Sequence, residues 1–126
     1  MVVDDDKDFL EEIQEILSTR GYEAIMADSG DAALKSARTL RPDIILLDIV
    51  MSEMNGFQLA DKLNEWPETQ KIPIIAITGW FIREQHHKLV NTLGIKAILM
   101  KPLEPAKVIS CIEDVLNGKT IKSEIA

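Results

Sequence analysis

The stretch PDIILLDIVMSEMNG, running from Pro42 to Gly56, decides the fold. Its four consecutive aliphatic residues, Ile44 to Leu47, lack the alternation of a strand with one wet face, so the segment reads as a strand buried on both sides. Such a strand belongs to a parallel sheet with helices on both faces. Asp48 stands directly at its end, and burying a carboxylate is costly unless something compensates. Asn55 and Gly56 then form a turn into a helix.

Short apolar runs alternate with amphipathic segments on either side. MVV reads as a truncated first strand, and Asp6 to Arg20 as a helix with Phe9, Leu10, Ile13, Ile16 and Leu17 on one face, stopped by Gly21. YEAIMA is the second strand. Ser29 caps a helix to about Leu40, with Ala33, Ala37 and Leu40 inward and Pro42 blocking its continuation. DIILL is the third strand, followed by a helix that ends before Pro67. IPIIAIT is the fourth strand, Ile82 to Leu93 the fourth helix, KAILM the fifth strand and Glu104 to Leu116 the last helix. This pattern predicts an α/β fold, a flavodoxin-like doubly wound parallel sheet of five strands in the order 2-1-3-4-5 with five helices.

In open parallel sheets, ligands bind beyond the carboxyl ends of the strands. That edge carries Asp4, Asp5 and Asp6 after the first strand, Asp48 after the third, Thr78 after the fourth and Lys101 after the fifth. The first and third strands are neighbours in this order, so Asp4, Asp5 and Asp48 converge. Carboxylates so close repel one another unless a cation holds them ionised, and a hard oxygen-seeking ion, Mg²⁺ above all, fits. Lys101 lies two strand spacings from Asp48, roughly 10 Å, and its stem can lean back. An ionised aspartate can attack phosphorus, with a metal, an ammonium and a hydroxyl neutralising the transferred charge. Asp48 is therefore a candidate phosphoryl acceptor.

VVDDD, PDIILLDIVM with MNG, IIAIT and KP, in this order and at these spacings, resemble the response-regulator receiver domain over essentially the whole chain. The resemblance implies that Asp48 is phosphorylated, that Asp5 binds Mg²⁺ directly and that Asp4 acts mainly through water. It makes the Val50 main-chain carbonyl the third protein ligand. Thr78 and Lys101 would bind phosphoryl oxygens, and the Lys101–Pro102 bond would be cis. A histidine kinase or histidine phosphotransfer protein would be the donor, a downstream effector the reader, and a phosphorylation-dependent homodimer is compatible with the family. Residues 1–118 would form the receiver domain and 119–126 a tail or the start of a linker.

The sequence also departs from the family. Few apolar residues precede the acidic cluster, Ser52 stands where proline is common, and Trp80 and Phe81 follow Gly79 where small residues are usual. Ile98 occupies the position of the aromatic that swings inward on activation in many receivers. Val50, which cannot hydrogen-bond a water through its side chain, and the bulky Trp80 predict a long-lived phosphorylated form. Trp80 turned outward as a partner anchor is the competing expectation.

Composition narrows the function further. A net charge of −7 over 126 residues argues against nucleic-acid binding, and the single cysteine, Cys111, excludes an internal disulfide. No apolar run is long enough to span a membrane, and Met1 leads into Val2 and Val3 without a basic signal segment, so a cytoplasmic protein is expected. His86 and His87 point about 100° apart on a helix and read as surface, Cys111 as core, Trp66 as a helix-end plug and Gly56 as a turn residue. Two rivals remain: a pseudo-receiver that binds without being phosphorylated, and a Mg²⁺-dependent phosphohydrolase. The second is weakened by Val50, where the aspartate-nucleophile phosphatases have another aspartate.

Overall fold

The computed structural model describes residues 1–51, 54–79 and 84–118, and for 84–87 the backbone alone. Ten elements alternate along it: β1 (Val2–Val3), α1 (Lys7–Ser18), β2 (Met26–Ala27), α2 (Gly30–Leu40), β3 (Ile45–Asp48), α3 (Gly56–Glu65), β4 (Ile74–Thr78), α4 (Glu84–Thr92), β5 (Ile95–Met100) and α5 (Pro105–Leu116). The strands form one sheet in the order β2-β1-β3-β4-β5, every pair parallel. This is the expected topology.

The aliphatic run in β3 is explained by the two faces it serves. Ile45 and Leu47 join one buried cluster with Leu34 of α2, Leu59 of α3 and Val90 of α4. Ile44 and Leu46 join the other, with Ile13 of α1 and Ile112 of α5. β4 repeats the division, Ile74 and Ala76 against Ile75 and Ile77. Because side chains alternate across a strand, only a sheet covered on both sides needs every position apolar. Cys111 is buried in the second cluster, as expected.

Local chemistry starts and stops the helices. The Asp6 carboxylate accepts from the amides of Asp8 and Phe9 at the start of α1, and Ser29 Oγ accepts from Ala32 N at the start of α2. Asn55 and Gln58 cap α3 reciprocally. Arg41 closes α2 in the left-handed region at φ 46°, the right-handed helical region being disfavoured before Pro42.

Two expectations need correction. The second strand is only Met26–Ala27, not the whole of YEAIMA, because β2 is an edge strand and its one neighbour, β1, offers two residues to pair with. Leu40 is not inward but 57% exposed, since the last residue of α2 has already turned off the sheet; Leu34 fills the core beside Ala33 and Ala37. Among the described residues no helix is long and apolar enough to cross a membrane.

Candidate functional site at the carboxyl edge of the sheet

Register delivers the site. Val3 pairs with Leu47, so Asp4 and Asp48 follow as neighbours at the carboxyl ends of β1 and β3. Asp48 is the last residue of β3 rather than the first beyond it, and Thr78 is likewise the last of β4. Lys101 follows β5 directly, and its amide donates to the Thr78 carbonyl at 2.8 Å. The Lys101–Pro102 peptide is cis, as the resemblance implies.

The side chains converge as the strand ends suggest. Lys101 Nζ donates to Asp4 Oδ2 at 2.9 Å and to Asp48 Oδ2 at 3.5 Å, so the long stem does cross the two strand spacings. Asp4 Oδ1 accepts from Asp6 N at 2.9 Å, and Asp48 Oδ1 accepts from Val50 N at 3.1 Å. Asp4, Asp48 and Thr78 are buried, whereas Asp5 is exposed. Carboxylate oxygens of Asp4, Asp5 and Asp48 lie within 4.8 Å of one another. Two oxygens bound to Mg²⁺ at ~2.1 Å can be at most about 4.2 Å apart, so a small closure, or one carboxylate acting through water, would let the three residues share one ion, with waters filling the rest of its shell. The donor set, all oxygen, suits that ion.

Electrostatics follow from this crowding. Burial pushes the Asp48 carboxyl above its ordinary value; the Val50 amide opposes this, the Asp4 charge adds to it, and Lys101 offsets part. For Lys101, burial works against the charged form, but the Asp4 hydrogen bond and the two carboxylate charges outweigh it and raise its pKa. A buried acid with a raised pKa beside a cation marks this edge as a candidate functional site.

Two contributors were not legible in the sequence. Gly56 opens α3 so close to β3 that a Cβ there would lie 2.5 Å from Leu47 Cδ1 and 2.6 Å from the Asp48 carbonyl oxygen. Its amide donates to Ile49 O at 2.9 Å, closing the loop after Asp48. A lone glycine at a helix start carries no signal for that. Phe9, expected only as core, is half-buried, and Lys101 Nζ stands 4.1 Å from its ring centroid.

Of the remaining candidates, Val50 is 52% exposed beside the site. Ile98 is fully buried in β5, opposite Ala76. Trp66 caps α3 and packs against the first cluster, as a plug should. Ser52, Trp80 and Phe81, the side chains of His86 and His87, and residues 119–126 lie outside the described residues.

Comparison with known proteins identifies the family. The family described as "Response regulator receiver domain" matches residues 1–113. The chain is 30% identical over 117 residues to the polar-differentiation response regulator DivK of Brucella anthropi, covering 93% of this chain and 94% of that one. It is 31% identical over 120 residues to protein PilH of Pseudomonas aeruginosa, covering 94% and 97%. Among solved structures, the chemotaxis protein CheY4 of Vibrio cholerae superposes with a TM-score of 0.86 at 25% identity, covering 90% and 94%. The receiver domain of a signal transduction histidine kinase from Syntrophus aciditrophicus gives 0.81 at 27%, covering 97% and 92%.

Proposed function

The chain belongs to the response-regulator receiver family, and from that premise we propose that it is a phosphoacceptor switch whose acceptor is Asp48. The observation that carries this reading is the reach of Lys101 Nζ across the sheet edge to both Asp4 and Asp48. An Asp48 carboxylate oxygen attacks phosphorus and forms the O–P bond. The bond to the donor breaks, and the electron pair leaves with the donor atom, an imidazole nitrogen when a histidine kinase or phosphotransfer protein supplies the group. The product is an acyl phosphate.

Each residue has a task in that step. Lys101 moves its donors from Asp48 to the new phosphoryl oxygens while Asp4 keeps hold of it. The Thr78 hydroxyl, at the end of the neighbouring strand, is the second donor to those oxygens. Asp5, Asp48 and the Val50 main-chain carbonyl, with Asp4 through water, would hold Mg²⁺, which supplies the positive charge that dispersed phosphoryl charge requires. The domain catalyses its own phosphorylation and hydrolysis and turns over no external metabolite. Residues 1–118 are the working unit, in a cytoplasmic setting, and the signal passes to a protein partner or a second phosphorylated copy rather than to nucleic acid.

Incubation with acetyl phosphate and Mg²⁺ followed by intact mass tests this. One phosphate should add to the wild type and none to Asp48→Asn. A wild type that stays unmodified is a pseudo-receiver, and sustained hydrolysis of unrelated phosphomonoesters makes it a phosphohydrolase; either result overturns the proposal.

A further inference from the structure

Lys101 is gripped from three sides, and only two of them are acidic. Its ammonium donates to Asp4 and Asp48, and the third side meets the face of Phe9, 4.1 Å from the ring centroid. An aromatic face carries negative potential and attracts a cation at this distance. The ring does not get there by chance packing alone. Asp4 Oδ1 accepts from Asp6 N at 2.9 Å, and Asp6 Oδ1 accepts from Phe9 N at 3.3 Å. Phe9 lies under Lys101, and Lys101 returns to Asp4 Oδ2 at 2.9 Å. The circuit is closed: the carboxylate that binds the lysine also anchors, through one residue, the turn that presents the ring.

A lysine ammonium is a compact, strongly hydrated charge on a flexible four-carbon stem. With carboxylates on two sides and an apolar ring on the third, it has one well-defined place to be. Remove the ring, and water takes that side and the stem regains rotamers that lead away from Asp48. We propose that Phe9 is a positioning residue for phosphoryl acceptance, holding the Lys101 ammonium over the Asp48 carboxylate by its aromatic face. This rests on the phosphoacceptor reading of Asp48. It gives the first turn of α1 a part in the chemistry that neither its core-facing pattern nor its acidic cap announces.

The test compares Phe9→Leu, which keeps apolar bulk, with Phe9→Tyr, which keeps the aromatic face, in the full chain. Circular-dichroism melts establish that both fold. In the wild type, the Lys101 Cε protons should be shifted upfield by the ring current; the shift should vanish in Phe9→Leu and persist in Phe9→Tyr. The rate of Asp48 phosphorylation by acetyl phosphate should fall about fivefold to tenfold in Phe9→Leu and stay near wild type in Phe9→Tyr. Made in a Lys101→Met background, Phe9→Leu should cost nothing further. Wild-type rates in Phe9→Leu, equal losses in Leu and Tyr, or an undiminished loss without Lys101 each overturn the inference. So does a Cε shift that ignores the residue at position 9. A wild type that accepts no phosphate overturns the reading of Asp48 instead, and the Cε shift then still reports on the Phe9–Lys101 pairing by itself.

Discussion

Lys101 and Arg38 sit in clusters built from the same parts: a cation, an acid and an aromatic ring. Lys101 lies 2.9 Å from Asp4, 3.5 Å from Asp48 and 4.1 Å from the Phe9 centroid. Arg38 lies 3.4 Å from Glu68 and 4.3 Å from the Trp66 centroid. The distances barely separate them. Burial does: the Arg38 side chain is 48% exposed and Glu68 27%, against 26% for Lys101 and 1% for Asp4. In the exposed cluster water can replace every partner, and the pair is worth little. In the buried one the carboxylates of Asp4 and Asp48 are shut off from water and depend on Lys101 and on each other. Composition makes a salt bridge, and depth makes it answer to a ligand.

The largest effect expected from this contrast is on phosphorylation. Lys101→Met should slow phosphate uptake from acetyl phosphate by about a hundredfold, the usual cost of removing one preorganised donor from a developing anion. Arg38→Met should leave the rate unchanged. Comparable losses in the two variants would erase the distinction.

A smaller effect concerns stability. Asp48 titrates above its ordinary value of 3.8 in the folded protein, first because of burial and further because of Asp4. The folded state therefore keeps this proton to higher pH than the unfolded chain, and ionising the group costs stability. Stability from this source is present at low pH and falls as pH rises from 3.8 through the folded value. Asp48→Asn, neutral and of similar shape, should melt a few degrees above wild type at pH 7 without metal, and the gap should close as pH falls below the folded value. Mg²⁺ should reverse the order by stabilising the wild type, by about 1.4 kcal/mol at ten times its Kd, while leaving Asp48→Asn nearly unmoved. A gap independent of both pH and Mg²⁺, followed by melting in chelator and then in Mg²⁺, would remove the argument from crowded charge.

The smallest effect belongs to the exposed cluster. Glu68→Gln should shift the melting temperature less than Asp48→Asn does, and added salt should diminish even that. Melts at low and high ionic strength decide it.

The sequence carried most of the deep cluster and little of the shallow one. Asp4, Asp48 and Lys101 were readable because each stands at a strand end, and parallel strands put all such ends on one edge. Strand order followed from the alternation of elements and the handedness of crossovers. The shallow trio Arg38, Trp66 and Glu68 depends on how α2 sits beside the end of α3, which no periodicity encodes. Phe9 was hidden for a related reason: a helix-face pattern shows that a ring turns inward, not which cation it meets. Leu40 was misplaced because the pattern extends a face one residue past the point where α2 leaves the sheet. Gly56 was missed because close approach of backbone to backbone leaves only an absent side chain as its trace.

That glycine ties the two clusters to one mechanical part. At its amino end α3 bears directly on the backbone of Asp48 and Ile49 and on the Leu47 side chain, with no side chain of its own at Gly56 as a cushion. At its carboxyl end it is capped by Trp66, whose ring lies under Arg38. The helix is ten residues long, a rod of about 15 Å. A helix seated this closely leaves no slack between its first residue and the backbone of Asp48. α3 thus links the residue at the end of β3 to a core-packed tryptophan beneath an exposed guanidinium.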